Sequence, residues 1–302
     1  MKTHPHTLAA LTLVALAAAI PAHAFNASED FSSYTAPTTF TNSALISNSG
    51  AGTAGTGAAG NGWLNGWRTS TSTGLAQGVG VEDTTPIGSG GNYLGATLLT
   101  KSSSGDTIKD STSLTRAYDV AGGSLATASA VNISFDFRVD SIAAATMRYD
   151  LFENRTRATG ATSASYNFRT SNGVWNYFNG EVFVATTMAF NAGTIYSFSI
   201  VLNPVSSTYT FTINNGTTSV SSSSDAAFRT SGFTTDTATG SDGGRWLTFN
   251  ANESTNVLGQ STTFSVDNIS ISTIPEPSTY ALLAGASLLG LAASRRHRAF
   301  SG

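Results

Sequence analysis

The chain has 302 residues, a formal net charge of −3, only 11% charged residues, and no cysteine. Its four histidines, His4, His6, His23 and His297, all sit near the termini, so residues 25–273 hold neither Cys nor His. That excludes a disulfide framework, Ser-His-Asp and Cys-His catalysis, and His- or Cys-ligated zinc from the body of the chain. The same span carries 17 acidic residues (all but Glu276) against 11 basic ones (all but Lys2, Arg295, Arg296 and Arg298), a balance that argues against nucleic acid as a partner.

At the N-terminus, Lys2 precedes an apolar run of thirteen residues from Leu8 to Ile20, followed by Pro21-Ala22-His23-Ala24. Small residues at Ala22 and Ala24 form an A-x-A cleavage site, so residues 1–24 are predicted to be a signal peptide that signal peptidase removes, leaving Phe25 as the mature N-terminus. The run is too short for a retained spanning anchor. Between the two terminal signals, residues 25–273 are long enough for one domain with a sizeable core.

From Phe25 to about Gly80 the chain is Gly-rich and low in charge; AGTAGTGAAGNG at 51–62 predicts a flexible loop, and no core element is expected before Gly80. Beyond it, alternation and β-branched or aromatic enrichment predict strands over 131–140, 146–153, 164–170, 181–186, 195–202, 208–213, 245–250 and 262–272. No stretch of the body carries a helical period. In residues 195–216, Tyr196, Phe198 and Ile200 alternate with serines, and Tyr209, Phe211 and Ile213 alternate with threonines around Asn203-Pro204, which predicts a hairpin with one buried and one wet face. Likewise Ile133, Phe135, Phe137 and Val139 share one face of their strand, and Ser134, Asp136, Arg138 and Asp140 the other.

Three groups of residues could carry chemistry. Asp136, Arg138 and Asp140 line a polar strand face, with Asp150 and Glu153 on a candidate neighbour; two carboxylates at the right separation could act as acid and nucleophile on a glycosidic bond. The favoured reading is an ion-pair ladder on a solvated sheet face. Asp236 and Asp242, in a Gly-rich loop, could bind calcium through oxygen ligands, although the spacing matches no complete calcium loop and a plain polar turn is favoured. Trp63, Trp67, Trp175, Trp246 and Tyr177, beside Asn65 and Asn176, could offer flat faces and hydrogen bonds to sugar rings. Trp175 and Tyr177 follow the turn Asn172-Gly173 and are expected near a sheet rim, whereas Trp246 lies in an apolar strand and is expected to be buried.

The C-terminal residues 274–302 form a second targeting signal. Pro275-Glu276-Pro277 is a rigid spacer, Ser278 or Thr279 can cap a helix, the run from Tyr280 to Ala293 is uncharged, and Arg295, Arg296 and Arg298 resist passage through hydrocarbon. The pattern predicts a short transmembrane helix with the body outside and the basic end inside. This ordered triplet, over residues 274–298, resembles the PEP-CTERM sorting tail of exported bacterial proteins, with Tyr280 where that family often has Trp. The resemblance implies recognition of Pro275, Glu276 and Pro277 by an exosortase, and association with a cell surface or a biofilm extracellular matrix.

The order of predicted strands, together with FSVDNISIS at 264–272, resembles a concanavalin-like, laminin-G-like jelly roll. The laminarinases of that group carry Glu-x-Asp-x-x-Glu on a concave strand, which this sequence lacks. The expectation is an all-β sandwich, exported and noncatalytic, that binds polysaccharide. A carboxylate-dependent glycan-cleaving enzyme and a structural or adhesive coat component stand as alternatives.

Overall fold

The structure, a computed structural model, describes residues 25–32, 34, 36, 38–40, 62–63, 66–71, 77–85, 87, 91–99, 110–118, 130–142, 147–154, 164–229, 245–253 and 261–274. Phe25–Thr273 forms one compact unit. The signal peptide expected over 1–24 and the apolar run 280–293 lie outside the described residues, and among the described residues no helix is long and apolar enough to cross a membrane.

The described residues are all-β, in two antiparallel sheets. Seventeen strands run in chain order: β1 (Asn26–Glu29), β2 (Thr38–Phe40), β3 (Arg68–Thr71), β4 (Gln77–Glu82), β5 (Tyr93–Leu99), β6 (Asp110–Tyr118), β7 (Val131–Ser141), β8 (Met147–Asn154), β9 (Ala164–Ser171), β10 (Val174–Phe178), β11 (Phe183–Ala189), β12 (Ile195–Asn203), β13 (Thr208–Asn214), β14 (Ser219–Ser221), β15 (Ala226–Ala227), β16 (Arg245–Glu253) and β17 (Ser261–Thr273). The ten-stranded sheet follows the order β14-β13-β12-β7-β17-β5-β4-β2, with β1 paired to β17 and β15 to β13; the seven-stranded sheet follows β11-β10-β9-β8-β16-β6-β3.

The period-2 pattern decides which face each strand buries. In β7, Val131, Ile133, Phe135, Phe137 and Val139 are all within 2% of full burial, and in β12 and β13 the alternating Tyr196, Phe198, Ile200, Leu202, Tyr209 and Ile213 are equally buried. Their partners come from the other sheet. Phe135 meets Phe249 of β16 at 5.0 Å between ring centroids, Phe137 meets Trp175 of β10 at 5.9 Å, and Phe168 of β9 meets Phe211 of β13 at 4.9 Å, all edge to face. The two sheets therefore pack face to face around one aromatic-rich core.

Local turn chemistry sets the hairpin registers. Asn203 Oδ1 accepts the N–H groups of Val205 and Ser206, closing the predicted β12–β13 hairpin with Asn203 opposite Thr208. Asn172 and Gly173 both have positive φ, 53° and 75°, the signature of a two-residue type I′ turn that places Ser171 opposite Val174. The strand expected over 181–186 begins later, at Phe183, because Asn179 Oδ1 accepts the N–H groups of Glu181 and Val182 and holds that stretch as a turn.

Residues before Gly80 do contribute to the core, contrary to expectation. Ala27, Phe31, Trp63, Trp67 and Val79 are all buried. Isolated aromatic anchors do the work in a segment whose average hydrophobicity is low. β1 pairs with β17 from Asn26 opposite Ser272 to Glu29 opposite Ile269, which ties the two ends of the body together. Trp63 Nε1 donates to Ser28 O at 3.0 Å, and Gly62, at φ +85°, lets the backbone approach so closely that a Cβ there would lie 2.4 Å from Asn26 O.

Candidate functional site

The sequence-predicted polar ladder lies on the outer face of the ten-stranded sheet, and its groups satisfy one another. Asp136 accepts from Ser197 Oγ at 2.5 Å and from Asn268 Nδ2 at 2.8 Å. Arg138 donates to Asp140 at 2.5 Å and to the Thr85 carbonyl at 2.7 Å, and the second oxygen of Asp140 accepts from Ser265. Arg138 also lies 5.5 Å over the Tyr93 ring. With its polar atoms committed internally, this ladder is the ion-pair network favoured from the sequence.

Beside it, Asp267 of β17 stands opposite Asp136 in the strand register. Burial, with the Asp136 carboxylate nearby, pushes the Asp267 pKa up to about 7. A raised carboxyl pKa means that the folded state holds a proton the unfolded chain releases. The stability it contributes is full below the ordinary aspartate range and is lost as pH climbs to about 7. Thermal unfolding of the wild type should therefore fall in Tm between about pH 4 and pH 7, and Asp267→Asn should flatten that decline. An unchanged slope in the variant refutes the assignment.

Trp175, expected at a rim and available to sugar rings, is instead fully buried. The type I′ turn fixes this outcome: with Asn172-Gly173 as the whole loop, Trp175 stands opposite Thr170 and projects into the core against Phe137, Phe190, Tyr196 and Phe198. Tyr177, two residues on, points the same way and packs 4.8 Å from Phe211. Trp63 and Trp67 are core residues as well, stacked around Arg116, whose guanidinium lies 4.3 Å from the Trp63 ring and pairs with Glu29 at 2.6 Å. Trp246 is fully buried, as expected. Asn65, Asp236, Asp242, Pro275, Glu276, Pro277, Arg295, Arg296 and Arg298 lie outside the described residues. Among the described residues no cluster of three or more His, Cys, Asp or Glu side chains could hold a metal.

Glu153 faces neither solvent nor Asp136. It lies on the inner face of β8, fully buried, where it pairs with Arg245 of β16 and accepts from Tyr118 Oη at 2.8 Å. Arg245 also donates to Ser165. Burial, reinforced by Glu153, drives the Tyr118 hydroxyl pKa well above its ordinary value. Asp136 and Glu153 thus belong to different sheets and face different sides, so they cannot act together on one bond.

The outer face of the seven-stranded sheet is where unmet hydrogen-bonding capacity collects. Strand register builds three adjoining rows across it. One row aligns Ser111, Asn252 and Arg148; the next aligns Ser113, Asn250, Asp150, Arg169 and Asn176; the third aligns Thr115, Thr248, Phe152 and Asn167. Apart from Phe152 every one of these side chains is polar, while the alternate positions Leu114, Phe249, Leu151 and Phe168 fill the core behind them. Ser113 Oγ, Thr248 Oγ1, Asn167 Oδ1, Asn252 Oδ1 and Arg169 Nε are buried atoms without a hydrogen-bond partner. Each such group costs roughly 1–3 kcal/mol if left dry, and five of them lie along one face of the sheet.

The electrostatics of this face are uneven. Of the carboxylates on its strands whose side chains are described, Asp150 alone points outward, since Glu153 and Glu253 lie on inward positions. Arg148 holds Asp150 at 2.8 Å. Burial raises the Asp150 pKa, and the positive charges of Arg148, Arg169 and Arg229 oppose that rise. Arg169 lies 3.4 Å over the Phe183 ring, and Arg229 lies 5.1 Å from Phe178 and 5.9 Å from Phe183. Sequence reasoning missed this face because β6 and β10 were not predicted as strands. Alternation was visible in Trp246-Leu-Thr-Phe-Asn-Ala-Asn252, whose polar members all fall on it.

At the C-terminal boundary of the body, β17 runs out at Thr273, immediately before Ile274-Pro275-Glu276-Pro277. Residues 273–296 match the PEP-CTERM protein-sorting motif. A chain bearing PEP-CTERM is an exported protein, directed to membrane-associated sorting and exosortase processing. No curated protein matches the chain. Among solved structures it is similar to a protein of unknown function from Shewanella oneidensis MR-1, at 14% identity and a TM-score of 0.46, over 83% of this chain and 86% of that one. It is similar to the catalytic domain of a glycoside hydrolase family 131 beta-glucanase from Podospora anserina, at 13% identity and a TM-score of 0.45, over 66% and 80%. It is also similar to a sialidase, at 14% identity and a TM-score of 0.41, where 68% of this chain spans 17% of the sialidase. At these identities the likenesses say nothing of activity.

Proposed function

We propose that this exported protein is a noncatalytic surface or matrix component whose body, a jelly-roll sandwich of the concanavalin-like kind, binds polysaccharide on the outer face of its seven-stranded sheet. The observation that carries the proposal is the polar register of this face, Ser111, Asn252 and Arg148 beside Asn250, Asp150 and Arg169, where Arg148 keeps 37% of its side chain exposed and Ser111, Asn252 and Arg169 are only partly buried. Sugar hydroxyls both donate and accept, so they can satisfy hydroxyl, amide and guanidinium groups set at the spacing of a strand ladder. The complementary ladder on the ten-stranded sheet is already saturated by its own partners.

The exported protein is expected to retain glycans on an array, and Arg148→Ala combined with Asn252→Ala should weaken that retention at least tenfold while the protein still unfolds cooperatively. Unchanged retention in the double variant overturns the assignment of the face. Release of reducing ends during the same incubation supports the glycan-cleaving alternative, and absence of binding to any glycan supports the structural one.

Sorting is tested separately. Removing residues 274–302 should shift the protein from the membrane fraction to the soluble exported fraction. Identical partition of the full and truncated chains refutes the role of the tail.

A further inference from the structure

We infer that the glycan taken by this face is acidic, a carboxylate-bearing polysaccharide of the polyuronate type, bound by Arg169 and Arg229 beside Arg148. The inference rests on the polysaccharide-binding reading and adds the charge of the ligand to it. The body as a whole is acidic, with 17 acidic residues against 11 basic ones over 25–273, and a bare electrostatic argument predicts that it repels polyanions. Among the described side chains on the strands of this face the balance is reversed: three arginines bear on Asp150, the one outward carboxylate among them, and only Arg148 is engaged with it at ion-pair distance.

Arg169 and Arg229 are held instead by aromatic rings. Phe183 lies under the Arg169 guanidinium at 3.4 Å and near that of Arg229 at 5.9 Å, and Phe178 lies 5.1 Å from Arg229. Stacking of this kind fixes the plane of a guanidinium without neutralising it, and leaves its N–H edge for a planar, bidentate acceptor such as a carboxylate. Arg169 Nε is one of the buried donors without a partner. Partial burial, with like-charge crowding by Arg148 and Arg229 added to it, disfavours the charged form of Arg169, and an anion arriving between them would relieve that cost. The group is reachable, since Arg148 keeps 37% of its side chain exposed and Arg169, Arg229, Phe178 and Phe183 are all only partly buried.

The test compares a polyuronate with its uncharged ester and with other polyanions. Full-length exported protein is titrated with polygalacturonate, with fully methyl-esterified polygalacturonate, with alginate, with dextran sulfate and with single-stranded DNA. At least one of the two polyuronates should bind, the methyl ester at least tenfold more weakly than its acid form, and the affinity for the acid should fall as salt rises. Arg169→Gln and Arg229→Gln should each lower affinity for the acid polymer at least fivefold, with little change for the ester. Arg169→Lys, which keeps the charge and loses the fork, should fall between. Equal binding of acid and ester overturns the inference and leaves glycan binding intact, whereas no binding to any polymer or arrayed glycan overturns both. Dextran sulfate or DNA bound as tightly as the polyuronates, with the same loss in the arginine variants, overturns carboxylate recognition in favour of an indiscriminate polyanion site.

Discussion

Glu153→Ala is expected to destabilise the folded body by roughly 3–5 kcal/mol, the cost of leaving one member of a buried ion pair without its counter-charge. Glu153 is fully buried and Arg245 is 1% exposed, so neither charge has water to fall back on. Two guanidinium nitrogens of Arg245 donate to the two oxygens of Glu153, and Tyr118 Oη adds a third donor at 2.8 Å. Removing the carboxylate takes an acceptor from each of the three donors and leaves a buried cation without its counter-charge, with Ser165 still accepting from Arg245. For a body of this size the loss corresponds to a fall in Tm of about 6–20 °C. Glu153→Gln keeps the shape and should lose less. Replacing both residues, as Glu153→Met with Arg245→Met, should recover most of the stability, because paired apolar side chains of similar volume avoid the desolvation that the ion pair has to overcome. Chemical or thermal unfolding of the three variants checks the pattern; a Glu153→Ala protein within about 0.5 kcal/mol of wild type contradicts it.

Trp175→Ala should cost a comparable amount, roughly 3–5 kcal/mol, by opening a cavity where four rings converge. Phe198, Phe190, Tyr196 and Phe137 surround the indole at centroid distances of 5.1, 5.3, 5.5 and 5.9 Å, all close to edge-on. β10 and the strands around it are too well fixed by their registers to collapse into the space. Trp175→Phe should recover about half of the loss. The informative contrast is with glycan binding. A sugar platform would lose affinity on substitution and keep its stability, whereas this core residue should lose stability and keep affinity per folded molecule. Unfolding curves read alongside glycan retention separate the two outcomes.

How much of this was legible in the sequence varies with how local the physics is. The strand expected over 131–140 is β7, Val131–Ser141, and those expected over 195–202 and 208–213 are β12 and β13, each extended by a single residue. Large apolar residues at every second position leave a strand only one face to bury, so neighbours in the chain suffice to place it. β6 escaped because its inward positions are sparsely filled with apolar side chains. In Asp110–Tyr118 only Leu114 and Tyr118 are apolar among residues facing the core, and Arg116 takes the position between them. That arginine is acceptable there only because Glu29, brought over by the pairing of β1 with β17, meets it at 2.6 Å. Glu29 lies 87 residues away in the chain, so nothing near Arg116 announces it.

The candidate site divides along the same line. Asp136, Arg138 and Asp140 were visible as a polar strand face, and they form a ladder because their spacing alone puts them on one side. The face with unmet capacity was not visible as a unit, since its rows draw residues from β6, β16, β8, β9 and β10, which are far apart in the chain. Asp150 and Glu153 lie three positions apart, and that odd interval sends one outward and the other into the core. Trp175 was misplaced for want of a turn geometry: the two positive φ values at Asn172 and Gly173 shorten the loop to two residues and turn the indole inward.

By itself the sequence determined the destination and the class. The Pro-Glu-Pro spacer, the uncharged run and the closing arginines act through contiguous residues, as does period-2 alternation, and neither needs a distant partner to have its physical effect. Only the tertiary structure decided which polar residues are spent on one another and which keep unbonded polar atoms. That distinction depends on strand register between remote segments, which assigns Arg245 to Glu153, Asn268 to Asp136 and Glu29 to Arg116, and leaves Arg169 stacked on Phe183 with its Nε still unbonded.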